Sequence, residues 1–143
     1  MVRDGQDPRT GPRPRRARIG ERCVTSWLPA GLDDGYGIDH LPYGSAQDAR
    51  GRRFAAVRIG DAALDLTLAS AELATKHAAL FAEGTLDAFL AAGRPIWTQV
   101  RARVVQWLSD EAYRPALRPL LTPVDDVELL LPFTVADYVD FYA

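Results

Sequence analysis

Cysteine is nearly missing: Cys23 is the only one in 143 residues. It can close no disulfide within the chain and cannot by itself build a cysteine-based zinc site. Histidine is almost as scarce, with His40 and His77 alone, and neither has a metal-ligand neighbour at useful spacing. Both read as surface or hydrogen-bonded imidazoles, and Cys23 as an incidental thiol. No run of eighteen apolar residues occurs, so no transmembrane helix is expected. The N-terminal arginines lead into no apolar stretch of the kind a secretory signal carries. GxGxxG before a helix, the P-loop, HExxH and GxSxG are all absent. The formal net charge of −2 argues against nucleic acid as the main partner of the whole chain. The expectation is a cytoplasmic protein with no membrane and no nucleic-acid partner.

What is present suits one domain. Apolar residues make up 48%, enough for a sizeable core. Charge is uneven: residues 1–22 hold seven arginines against three acidic residues, a net of +4, which leaves −6 for the remainder. Residues 1–24 are rich in Pro, Gly and Arg and poor in large apolar side chains. Such a segment buries too little to offset its ordering entropy, so a disordered basic extension is expected. A nucleic-acid arm and a targeting peptide are the rival readings, and the segment lacks the amphipathic period of the latter.

Order is expected from residue 25, with Trp27 and Leu28 anchoring an edge and residues 29–44 forming loops and short extended pieces. In "RRFAAVRIGDAALDLT" (residues 52–67), Phe54, Ala56, Val57 and Ile59 fit a strand, Gly60-Asp61 a tight turn, and residues 63–66 the returning strand. Ser70 is expected to cap a short helix reaching His77. Thr85 and Gly93 bracket another, as N-cap and C-cap. Pro95 suits the first turn of a third. On that helix Trp97, Val100, Val104, Trp107 and Leu108 form an amphipathic stripe, with both tryptophans as core anchors. Residues 110–119 suggest a short helix and a break, and "VELLLP" (residues 127–132) a buried strand.

The sequence closes on "LPFTVADYVDFYA". In an extended segment alternate residues share a side, which groups Asp140 with Tyr142 and opposes Phe141. A carboxylate beside a phenol can serve a hard divalent cation and an anionic or carbonyl oxygen together. One carboxylate is not a site, because Mg²⁺ or Ca²⁺ takes about six oxygen ligands. On composition alone an ordinary acidic-aromatic surface turn is the favoured reading.

Several segments in order, "LPYG" (41–44), "RIGDAALDL" (58–66), "KH" (76–77), "TLDAFL" (85–90) and "LLLPFTVADYVDFY" (129–142), give the chain a wider resemblance. From about residue 25 onward it resembles the N-terminal part of the fumarylacetoacetase family, also called fumarylacetoacetate hydrolases. The most specific segment is "DYVDFY" after a Leu-Pro strand, where the family places an Asp-x-Tyr motif. The resemblance implies an α+β fold: a small SH3-like β-barrel with added helices, followed by the first residues of a mainly-β catalytic domain. It divides the chain into the extension 1–24, the N-terminal domain 25–122, and a linker strand with the truncated start of the catalytic domain, 123–143.

By the same resemblance, the activity is hydrolysis of a carbon–carbon bond in a β-diketone acid, giving fumarate and acetoacetate in tyrosine and phenylalanine breakdown. It implies Mg²⁺ or Ca²⁺, a histidine base supported by a carboxylate, and a homodimer formed mainly through the catalytic domain. Carried over residue by residue, Asp140 matches the first metal-ligand aspartate and Tyr142 the tyrosine that contacts substrate. The base and the other ligands are expected beyond residue 143, so the expected partner is a catalytic domain that completes the site. His40 and His77 match neither role. Exposed apolar surface facing that partner is expected at residues 129–131, Phe133 and Phe141.

The sequence departs from the family at His40, where asparagine is usual before "LPYG", and at Ser45-Ala46, smaller than the usual bulky pair. Both changes are expected to alter packing and leave the chemistry untouched. The family normally begins near "TSWLPA", and Val24 stands one residue before it. Our hypothesis is a start at Val24 from a GTG codon, with residues 1–23 added upstream; any other codon there counts against it. The rival functional readings are a non-catalytic SH3-like module that binds a protein, and a nucleic-acid binder using the arginine arm. A continuing reading frame with a histidine shortly after residue 143 separates the first of these from the enzyme. Salt-sensitive DNA binding lost on removing residues 1–23 is required by the second.

Overall fold

The computed structural model describes residues 26–28 and 35–140. The basic extension, Cys23, Phe141 and Tyr142 lie outside the described residues. The described residues form an α+β domain with a five-stranded antiparallel sheet and four α-helices. Strands β1 (Tyr43–Gln47), β2 (Arg53–Ile59), β3 (Ala62–Asp65), β4 (Leu121–Pro123) and β5 (Glu128–Leu130) lie in the order β4-β3-β2-β1-β5. Helices α1 (Leu66–Glu72), α2 (Asp87–Ala91), α3 (Arg94–Ser109) and α4 (Arg114–Leu117) occupy the long connection between β3 and β4.

The expected hairpin is β2 and β3, paired from Ala56↔Asp65 to Ile59↔Ala62, with Gly60 at φ +55° in the turn. A second hairpin, β1 to β2, was not expected, because residues 29–44 read as loops and short extended pieces and no strand was assigned to 45–47. Its turn is held by Asp48, whose carboxylate accepts from the N–H groups of Arg50 (3.0 Å) and Arg52 (2.9 Å).

Both faces of β2 are buried. Ala55, Val57 and Ile59 face the main core with Leu64, and α1, α3 and α4 contribute Leu66, Val104, Trp107, Leu108 and Leu117. On the other face Phe54 and Ala56 meet Ala46 and Ala63, with Val127 packed against them.

Four local expectations need correction. Helix α1 starts at Leu66 and not at Ser70, because the Asp65 carboxylate accepts the Leu68 N–H (2.9 Å) and caps it. Ser70 is instead buried inside the helix. Thr85 is not the N-cap of α2; Leu86 occupies that position without a side-chain cap, and Gly93, at φ +79°, sits one residue past the C-cap Ala92. Trp97 is 38% exposed, whereas Val100, Val104, Trp107 and Leu108 are buried as expected. Trp97 sits at the rim, donating its indole N–H to the Phe89 carbonyl (2.6 Å). Finally, β5 is not a buried strand. It is the sheet edge, paired only with β1, and leaves Leu129 79% exposed. An apolar run reads as buried, but an edge strand has a neighbour on one side only.

Candidate functional site

The segment that leads to Asp140 leaves the domain from a built post. Arg53, at the start of β2, donates from Nη2 to the Leu131 carbonyl (2.6 Å) and from Nε to Ser45 Oγ (3.0 Å). Ser45 in turn donates to the Gly84 carbonyl. The Leu86 N–H donates to the Pro132 carbonyl (2.7 Å). The Asp87 carboxylate then accepts twice from Thr134, from its backbone N–H (2.8 Å) and its hydroxyl (3.0 Å). The backbone N–H of Thr134, foremost, holds the Asp87 carboxyl below the ordinary carboxylate range, against partial desolvation; the hydroxyls of Thr134 and Thr85 and the charge of Arg53 add to the lowering.

Beyond Thr134 the chain forms no helix or strand and is exposed through Asp140. Of the two expected site residues, Asp140 is solvent-facing and Tyr142 lies outside the described residues. Among the described residues no three His, Cys, Asp or Glu side chains come together in a way that could hold a metal ion. The structure thus brings no second ligand to Asp140 among them. His40 is exposed, bonded through Nδ1 to the Gly35 carbonyl (2.7 Å) and stacked on Tyr36. His77 is half-buried, its Nε2 3.3 Å from Gln99 Oε1. Both are hydrogen-bonded imidazoles, as expected.

The post itself was not read from the sequence. Asp87 and Thr134 are 47 residues apart, Arg53 and Leu131 78, and no local spacing links them. The one available signal was Ser45, already marked as unusually small; it is 1% exposed and bridges Arg53 to Gly84. A strip of apolar side chains also runs along the departing segment: Leu131 58%, Phe133 44%, Val135 54% and Val139 65% exposed. Leu131 and Phe133 are among the residues expected to face a partner, and Phe141 lies outside the described residues.

The depressed Asp87 carboxyl gives the post a pH dependence. A carboxylate whose folded pKa lies below the unfolded value, about 3.9, stabilises above that value and loses its contribution as pH falls through the folded pKa. The Thr134 amide resonance is therefore expected to hold steady above about pH 4 and to move as acid releases it. In Asp87→Asn that acid-linked movement should disappear. An unchanged wild-type resonance down to about pH 2 would show that Asp87 is not the acceptor.

No helix among the described residues is long and apolar enough to cross a membrane. A family profile described as "Fumarylacetoacetase N-terminal" matches residues 39–132. Curated relatives named fumarylacetoacetase include those of Emericella nidulans, 30% identical over 84% of this chain, Oryza sativa subsp. japonica, 42% identical over 61%, and Rattus norvegicus, 34% identical over 82%. These alignments take in 32%, 23% and 30% of the respective relatives, so the chain spans at most about a third of their length. The matched region holds all five strands, all four helices and most of the post, and the chain belongs to the fumarylacetoacetase N-terminal family.

Proposed function

We propose that this chain serves as the N-terminal domain of a fumarylacetoacetase, positioning the first residues of a diketone-hydrolysing site while a separate catalytic domain completes it. The observation that carries this reading is the family match across all five strands and four helices, joined to a segment that leaves the fold at a fixed post and leads to Asp140. In this reading Asp140 is a ligand of a Mg²⁺ or Ca²⁺ ion and Tyr142 contacts the substrate, 4-fumarylacetoacetate, whose carbon–carbon bond is cleaved to fumarate and acetoacetate. The work belongs to tyrosine and phenylalanine catabolism in the cytoplasm, and the assembled enzyme is a homodimer.

The described residues do not fit a metal on their own. Such a cation takes six or more oxygens, and Asp140 is one exposed carboxylate with no ligand cluster around it. What this chain contributes is placement. Arg53 and Asp87 fix where the segment departs, and the exposed strip at residues 131–139 supplies apolar surface for the catalytic domain to cover.

The sheet is read as an SH3-like barrel. Support comes from a four-strand meander whose fifth strand returns beside the first, from the 3₁₀ turn Val124–Asp126 between β4 and β5, and from burial on both faces of β2. The rival reading, a non-catalytic module, uses the same apolar strip for an unrelated protein.

The purified chain with Mg²⁺ or Ca²⁺ is expected to show no hydrolysis of fumarylacetoacetate, and turnover by it alone would overthrow the proposal. Grafted in place of the matching residues of the Rattus norvegicus relative, it is expected to yield a soluble enzyme that turns substrate over. A folded graft with no turnover favours the module.

A further inference from the structure

A second feature lies at the C-terminal end of α1, apart from the post. Helix α1 ends in a Schellman turn: the Thr75 N–H donates to the Ser70 carbonyl (3.0 Å) and the Ala74 N–H to the Ala71 carbonyl (3.0 Å). The left-handed position in that turn usually falls to glycine, yet here it is Ala74 at φ +46°. The turn puts Lys76 and His77 on the wall of a cleft of about 600 Å³, opposite Gln99 and Arg103 of α3. Phe81 and Trp107 line its apolar side.

The charges of this cleft are one-sided. Among the described residues none that lines it is acidic. Arg103 donates to the neutral Gln106 Oε1 (3.1 Å), and no ion pair among the described residues joins Lys76 or Arg103 to a carboxylate. His77 and Gln99 already meet across it. A concave site of this volume, apolar at its base and with a few convergent polar groups, has the make-up of a small-molecule site.

We propose that this cleft binds a small carboxylate with an aromatic or branched apolar body. The carboxylate meets Lys76 and Arg103, where charge-assisted hydrogen bonds are the strong ones. The apolar body lies against the half-exposed Leu73 and Tyr113 on the cleft wall, over the buried Trp107 and Phe81, an apolar contact that a bare inorganic anion could not make. The "KH" segment, which the proposed hydrolysis does not use, then has a role of its own. The inference does not rest on that hydrolysis.

The test is a titration of the 143-residue chain, followed by ¹H–¹⁵N spectra, with phenylacetate, neutral phenylacetamide and inorganic phosphate in turn. Phenylacetate is expected to cause saturable shifts at the amides of Lys76, His77 and Arg103 and at the Trp107 indole. The amide and phosphate should bind at least about tenfold more weakly. Lys76→Gln with Arg103→Gln, at two exposed positions, should weaken phenylacetate by about tenfold or more while leaving the rest of the spectrum in place. Equal response to phenylacetate and phenylacetamide, no saturable shift by about 10 mM, shifts confined to other residues, or an unaffected double variant would each overturn the proposal.

Discussion

Gly84→Ala is expected to destabilise the chain by about 3–5 kcal/mol, a large share of the roughly 5–15 kcal/mol that holds a domain together. Two costs add. Gly84 adopts φ +69°, where any Cβ is strained. The added Cβ would also stand 2.9 Å from the Arg53 carbonyl carbon and oxygen and from the Phe54 nitrogen. Those are backbone atoms of β2 and cannot rotate aside. The residue must move off the strand, and with it the Gly84 carbonyl that receives Ser45 Oγ. Ser45 also receives Arg53, so the departure of residues 131–134 should loosen with the core. A fall in melting temperature of more than about 10 °C is expected, with the Thr134 amide losing protection at the same time. A loss below about 1 kcal/mol would show that the close approach to β2 is not required.

Trp107→Ala is expected to cost about 3–5 kcal/mol, and Trp97→Ala no more than about 1–2 kcal/mol. The sequence stripe treats the two tryptophans alike. In the fold Trp107 is 3% exposed against α1 and α4, while Trp97 is 38% exposed with its ring beside Phe89. Removing Trp107 also leaves a void in the core against which Trp27 packs, its indole N–H donating to the Trp107 carbonyl (2.8 Å). Denaturant titration of both variants decides the matter. Equal losses would mean that helical periodicity ranks these side chains better than their packing does.

The features legible beforehand were the local ones. The β2–β3 hairpin needs only alternating apolar residues and a glycine able to take a positive φ, and both are written within residues 53–65. Helix α3 was legible from its apolar stripe and from Pro95 in its first turn, where a missing N–H costs nothing. The Trp27 anchor was also legible, and its backbone N–H pairs with the Leu108 carbonyl (3.0 Å). Strand β1 was not, because "YGSAQ" carries no alternation; its strand character comes from β2 on one side and β5 on the other. The start of α1 was misplaced because Asp65 both ends β3 and caps the helix, a double use that spacing alone does not reveal. Of the two expected site residues only Asp140 lies among the described residues, while the Arg53, Ser45 and Asp87 post depends on partners many residues away.

By itself, then, the sequence determined an α+β domain of the fumarylacetoacetase N-terminal family, because turn chemistry, apolar period and segment order are properties of neighbouring residues. Only the tertiary structure decided which apolar residues are covered. Leu129 and Trp97 are as hydrophobic as Leu64 and Trp107, but an edge strand and a helix rim have nothing packed against their outer side. It also decided that the segment reaching Asp140 starts from a hydrogen-bonded post, and that Lys76, His77 and Arg103 share one cleft. Those groups meet through chain folding over tens of residues, and burial, charge balance and pKa follow from that meeting.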